Sequence, residues 1–370
     1  MSGKNTPMPQ DLFQKVADLI EASRKRVATA VNTAMVYTYY EIGRYIVEDE
    51  QNGASRAEYG KAVLRNLSQA LTDKYGSGWS YPNLKNIKLF YLIYSKRLNS
   101  VYPIERNADL DIISPAEKAK QCLPNSTTKR PQFILSWSHY LILMRIENPQ
   151  ARSFYEIECA RQQWSVRQLQ RQYGSSLFER LALSRDKDEV MRLAEHGQTI
   201  EKPEDIIKNP LTLEFIGLKP DTSYAESTLE TAIIDKLQLF LMEMGRGFLF
   251  EARQKRFTFD EDHFYVDLVL YNRLLQCYVL VDLKSGKLTH QDLGQMQMYV
   301  NYYDRHVIEP FEKPTIGILL CKEKNDALVE LTLPKDANVY AQQYKLCLPE
   351  KTLLEEKLRE WIAEFEENEK

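Results

Sequence analysis

Two acids stand inside apolar runs that otherwise read as core strands. Residues 264–271 are FYVDLVLY and residues 277–283 are CYVLVDL. Both runs are rich in Val, Leu and Tyr, and the short polar break Asn272-Arg273 between them is a hairpin signal. Side chains alternate faces along a strand, so Asp282 and Lys284 point one way and Val281 and Leu283 the other. Asp267, on the neighbouring strand, comes close to that pair. A buried carboxylate is costly unless it is paired or bound to a metal. Two readings follow. One is a buried Asp–Lys ion pair. The other is a sheet-surface site that holds Mg²⁺ through oxygen ligands with a water beside it.

The flanking segments add further chemistry. Leu229, Ile233, Ile234, Leu237, Phe240, Leu241 and Met244 recur at helical spacing, and Glu230 sits on or beside that apolar face, where an acid is unexpected. Downstream, Gln295 and Tyr299 lie four apart on a predicted helix and share a face. Taken singly, Glu230 is a boundary residue and Tyr299 ordinary packing. The ordered set is more specific: acid on a helix, acid on a strand, acid-x-Lys on the next strand, Gln-x-x-x-Tyr on the next helix.

That order resembles the PD-(D/E)XK nuclease superfamily, whose core runs helix, three antiparallel strands, helix, strand. From LETAIIDKLQLFLMEMGRGFLF to QMQMY the wording is similar to the C-terminal nuclease domain of the YhcG family, and the N-terminal half also resembles that family. The resemblance implies a metal held by Asp267, Asp282 and the Leu283 backbone carbonyl, with Glu230 as a third contributor. It places the catalytic lysine on Lys284 and the Gln-Tyr motif of the RecB-like subgroup on Gln295 and Tyr299. It also implies 5′-phosphate and 3′-hydroxyl products. The chain departs from the pattern at Val266, where the superfamily often has Pro, and at Asp282, where the family has Glu.

The formal charge of −3 conceals an asymmetry: residues 1–185 carry 26 Lys and Arg against 17 Asp and Glu, and the remainder carries 23 against 35. A basic half suits a polyanionic partner; a solvated surface without a partner is the alternative. The 370 residues allow two or three domains. No apolar run of about eighteen residues exists, so no membrane span is expected. Cys122, Cys159, Cys277, Cys321 and Cys347 are scattered without a CxxC pair, which favours reduced thiols in a cytoplasmic protein over a disulfide frame or a zinc site. His263 reads as a strand-edge residue.

The expected organisation is a mainly helical, basic domain over 1–185, a connector over 186–222, an α/β restriction-endonuclease-like core with a mixed sheet over 223–348 and a C-terminal helix over 349–370. Within the first domain, 11–50 reads as a packing helix. A helix from Tyr59 to Tyr75, the turn GSGW and a second helix capped by Ser80 with Pro82 in its first turn suggest a helix-turn-helix-like unit. Such a unit lays its second helix in the major groove, which points to Asn83, Lys85, Asn86 and Lys88 as DNA contacts; many αα-hairpins, however, touch no DNA. Residues 99–132, broken by four prolines, read as a long loop whose Lys118, Lys120, Lys129 and Arg130 are solvated or reach phosphate. Ser165 is a helix cap. Arg161, Arg167, Arg171 and Arg180 either line a nucleic-acid path or pair with Glu156, Glu158 and Glu179. Arg253, Lys255 and Arg256 form an exposed strand face or contact the scissile strand.

The function expected from this reading is Mg²⁺-dependent endonucleolytic hydrolysis of DNA, with Mn²⁺ as a substitute ion. A nuclease fold that binds DNA without cutting it and an RNA nuclease are the alternatives. A homo-oligomer is left open.

Overall fold

The computed structural model describes residues 10–52, 57–95, 132–183, 187–208, 210–220, 223–259, 261–334, 336–356 and 358. The loop lysines and arginine of 118–130, Cys122 and most of the C-terminal helix lie outside these residues. The chain forms two compact units, Met1–Arg152 and Ser153–Lys370.

The first unit is helical. Its elements are α1 (Gln10–Asn52), α2 (Ala57–Tyr75), α3 (Tyr81–Ser95), α4 (Trp137–Leu143) and the start of α5 (Pro149–Arg161). Val36, Tyr40, Ile46 and Val47 of α1 are buried, as are Leu84, Ile87, Phe90 and Tyr94 of α3. A Cβ added at Gly43 would lie 2.5 Å from the Ile87 carbonyl oxygen, so α1 and α3 meet backbone to backbone there. Aromatic edges close the remaining space, with Phe90 packed 4.9 Å from Phe133 and 5.1 Å from Tyr140 between ring centroids. The turn between α2 and α3 needs Gly76 and Gly78, both at positive φ.

The second unit continues through α6 (Val166–Gly174), α7 (Leu177–Ala182), α8 (Lys187–His196), β1 (Leu211–Thr212), α9 (Glu226–Asp235), α10 (Leu237–Met244), β2 (Phe248–Phe259), β3 (Asp262–Asn272), β4 (Cys277–Lys287), α11 (His290–His306), β5 (Ile316–Glu323), α12 (Asp326–Thr332) and β6 (Val339–Lys345). The sheet order is β1-β6-β5-β4-β3-β2. β2, β3 and β4 pair antiparallel, whereas β4, β5, β6 and β1 pair parallel. The sheet is therefore mixed, as expected, and the αβββαβ core is present. The helix expected over 223–244 is two helices that break at Lys236, whose backbone leaves the helical region. The stretch 186–222, expected as a connector, carries α8 and the edge strand β1 among its described residues.

Alternation sorts the sheet's side chains into two cores. Val279, Val281 and Leu283 of β4 face Leu229, Ile233, Phe240 and Met244 of α9 and α10. Leu280 belongs to the opposite core with Leu293, Met296, Tyr299, Val300 and Tyr303 of α11. Both faces of the central strands are thus covered, which is why β5 reads as a nearly unbroken apolar run.

Helices α6 and α7 are fastened to this sheet by buried charge. Ser165 caps α6 as expected, in a capping box with Gln168. Glu243 of α10 is fully buried and accepts from Arg180 at 2.8 Å, Arg171 at 3.1 Å and the Thr212 N–H at 3.1 Å. Arg171 also pairs with Glu214 at 3.0 Å, and Lys208 donates to the Glu243 carbonyl. Of the two roles open to Arg171 and Arg180, ion pairing is the one observed. The partners are Glu214 and Glu243, not the sequence-near acids. Cys159, Cys277 and Cys321 are buried free thiols and Cys347 is an exposed one. Among the described residues no helix is long and apolar enough to cross a membrane.

Candidate active site where β3 and β4 part

The β3–β4 ladder runs from Asn272↔Cys277 to Leu268↔Val281 and stops. The next step of the same register would oppose Asp267 to Asp282. Two carboxylates cannot share that position without cost, and the backbone bonding changes there: Asp267 Oδ2 accepts the Leu283 N–H at 2.8 Å. A side chain replaces a ladder partner, and the acids stay together at the end of the paired region.

Asp282 is 4% exposed. Burial, and then the charge of Asp267, push its carboxyl well above the usual carboxylate range, against the pull of Lys284. Lys284 Nζ lies 2.8 Å from Asp282 Oδ2, 3.6 Å from Glu226 Oε2 and 3.8 Å from Asp292 Oδ1. Burial works to strip its proton, but Asp282, Glu226 and Asp292 outweigh it and hold the ammonium charged. The expected juxtaposition of Asp267, Asp282 and Lys284 is therefore present.

The two helices complete the site from either side. Glu230 of α9 is buried, and its Oε2 accepts from Gln254 Nε2 at 2.9 Å. The same Nε2 donates to Asp267 Oδ1 at 2.8 Å. Glu230 Oε1 is buried without a hydrogen bond; Arg253 Nε stands 3.3 Å away as an ion-pair partner. On α11, Gln295 Nε2 donates to the Tyr299 hydroxyl. Tyr299 is pushed up to about 12 by burial and by Asp282, so its phenol keeps its proton. Thr289 and Asp292 form the capping box that starts this helix, and the Asp292 carboxylate also faces Lys284. Sequence reasoning missed Glu226, Asp292 and Gln254. Glu226 carried a signal, one helical turn before Glu230, and Asp292 carried one as the third residue after a Thr cap. Gln254 carried none.

Other expected contacts lie elsewhere. Arg256 Nη2 is 3.3 Å from His263 Nε2, and Thr258 Oγ1 is 3.1 Å from His263 Nδ1, so His263 serves the β2–β3 strand edge. Lys255 is exposed on β2. In the helical unit, Asn83 Nδ2 donates to the Gly78 carbonyl at 2.6 Å, and its Oδ1 accepts from Trp137 Nε1 at 3.4 Å. Lys88 pairs with Glu50 of α1. Asn83 thus ties α3 to the preceding turn and to α4, and Lys88 ties α3 to α1. Lys85 is exposed, 6.0 Å above the Tyr81 ring, and Asn86 is half-buried.

Residues 204–359 match the model of the YhcG PDDEXK nuclease domain, and residues 15–180 match that of the DUF1016 N-terminal domain. The sheet with its Asp-x-Lys strand is thus a nuclease domain of the PD-(D/E)XK type. The Escherichia coli (strain K12) protein "Putative nuclease YhcG" is 38% identical over 365 residues, which cover 97% of this chain and 96% of that one. The chain belongs to the YhcG family. Among solved structures, a repair endonuclease from Pyrococcus abyssi is 20% identical with a TM-score of 0.24, over 35% of this chain and 50% of that one. An EndoMS–dsDNA2 complex is 14% identical with a TM-score of 0.25, over 36% of this chain and 50% of that one.

Nucleases of this type generally use divalent metal ions, and the residues present fit one. Burial and the charge of Asp267 raise the affinity of Asp282 for positive charge, and Glu230 Oε1 is a buried acceptor without a hydrogen bond. Among the described residues no three His, Cys, Asp or Glu side chains already stand as a metal cage. Hard carboxylate oxygens of this kind suit a divalent cation.

Proposed function

We propose that this chain is an endonuclease that hydrolyses phosphodiester bonds of DNA, with Mg²⁺ or Mn²⁺ held by Asp267, Asp282 and the Leu283 carbonyl and with Glu230 beside it. The observation that carries this reading is the convergence of Asp267, Asp282 and Lys284 at the end of the β3–β4 ladder, with the ammonium 2.8 Å from Asp282. When bound, the ion lowers the pKa of a bound water and neutralises charge on the phosphate. Lys284 stays protonated, so it acts as a donor: it orients the attacking water and offers its charge to the phosphate oxygens. Tyr299, protonated and bonded to Gln295, lies within electrostatic reach of the Asp282–Lys284 pair. Arg253, Lys255 and Arg256 supply positive charge along the exposed strand β2 for the scissile strand.

Nicking of supercoiled plasmid by the full chain tests this reading. Cleavage is expected with Mg²⁺ and Mn²⁺ and is expected to vanish in EDTA; cleavage that persists in EDTA would sink it. Parallel DNA and RNA substrates decide between the two nucleic acids. Asp282 in place of the family's Glu favours the second reading, a DNA-binding fold without turnover, which predicts binding but no nicks under either ion.

The helical unit is the proposed DNA-binding part, and Lys85 is its exposed cation on α3. Lys85→Ala is expected to weaken binding uniformly across sequences and to reduce the salt slope by about one. Fluorescence anisotropy at several salt concentrations measures both; an unchanged slope removes Lys85 from the interface. Cytoplasmic residence and a homo-oligomer are further proposals, the second checked by light scattering against a chain mass of 43.3 kDa.

A further inference from the structure

Gln254 lies on the edge strand β2 with a left-handed backbone, φ 47°. Such a conformation is unfavourable for a residue with a Cβ and persists where its surroundings impose it. The β2–β3 ladder pairs Arg253↔Leu268 and Lys255↔Val266, and by the same register Gln254 stands opposite Asp267. From there its Nε2 donates to two carboxylates on two different elements, Asp267 Oδ1 at 2.8 Å and Glu230 Oε2 at 2.9 Å. An NH₂ group shared between two acid oxygens stands where a bridging cation would stand. It presents hydrogens to both oxygens, so amide and cation exclude each other.

We propose that Gln254 is a positioning residue that acts as a latch on the metal site. Its carboxamide substitutes for a cation, holding Asp267 and Glu230 in place, and it must release both oxygens before they could serve a divalent ion. The latch keeps the acids ordered without metal and raises the ion concentration needed for loading. This inference rests on the metal site proposed above.

Calorimetric titration of Mn²⁺ into the full chain, with thermal midpoints in EDTA and in Mn²⁺, tests it. Gln254→Asn keeps an amide and a residue type tolerant of left-handed backbone, but it is one methylene too short to bridge. It is expected to lower the midpoint in EDTA and to bind Mn²⁺ several-fold tighter. Gln254→Glu replaces the donor by a third carboxylate. It is expected to bind Mn²⁺ roughly tenfold tighter or more, with its EDTA midpoint reduced and restored by the ion. Should that variant not fold in EDTA, Gln254→Asn decides alone. Mn²⁺ binding by Gln254→Asn at or below wild-type affinity overturns the latch. Asp267→Asn separates the two readings. Binding lost in Asp267→Asn but unchanged in Gln254→Asn defeats the latch and leaves the metal site standing. No binding in any variant, or equal binding with and without Asp267, defeats both.

Discussion

Lys284→Ala is expected to reduce cleavage by at least about a hundredfold, in line with the loss of one preorganised charge at a developing anion. The reason is local. Lys284 faces three acids, which keep it charged although it is largely buried. Lys284 is the cation paired with Asp282 among the described residues, so the substitution removes the positive charge beside the proposed attacking water. The fold is expected to survive, because burial and the neighbouring Asp267 already push the Asp282 carboxyl upward. Without its partner it takes up a proton rather than remaining a bare buried charge. DNA affinity is expected to change little. Single-turnover cleavage together with binding by anisotropy checks both halves; a variant that cuts at the wild-type rate removes Lys284 from the chemistry.

Glu243→Ala is expected to cost about 3–5 kcal/mol, because removing one member of a buried ion-paired set leaves its partners uncompensated. Arg180 and Arg171 would lose a shared carboxylate, and the Thr212 N–H would lose its acceptor. For a unit of this size the thermal midpoint falls by roughly 10 °C or more. The pH dependence has a defined sign. Burial works against the Glu243 charge, but Arg180, Lys208 and Arg171 prevail and bring its carboxyl down to about 2. Its ion pairing therefore contributes fully above the unfolded carboxylate value of about 4.3. The contribution is lost as pH falls through about 2. Urea midpoints of wild type and Glu243→Gln should converge on acidification from pH 7. A constant gap down to pH 2 would show that the charge is not what stabilises.

The candidate site was readable because strands and helices impose short periods. Asp282 and Lys284 share a face through the two-residue alternation of β4, and Gln295 meets Tyr299 through a helical turn. Glu230 was conspicuous as an acid on an apolar stripe. Gln254 was not readable, since a left-handed residue that is neither Gly nor Asn has no signature in a list of residues. The Arg171–Glu243 and Arg180–Glu243 bonds span 72 and 63 positions, and proximity in sequence pointed to the wrong acids. Asn83 and Lys88 stayed ambiguous in the sequence for a different reason. A polar residue that ties a helical hairpin together and one that reaches a base occupy the same positions on the second helix. The partners these side chains take in the structure, Gly78, Trp137 and Glu50, have no signature in the sequence.

The Glu243 cluster also determines where this chain can be cut. A fragment that starts with the nuclease-domain match at residue 204 would keep the carboxylate and discard both guanidiniums. One that starts near residue 153 would retain all of them. The seam for grafting a different helical module onto this nuclease-type half therefore lies inside α5, some fifty residues earlier than the start of that match, and a chimera joined at 204 inherits a buried Glu243 stripped of both its arginines, with the Thr212 N–H and Lys208 left beside it.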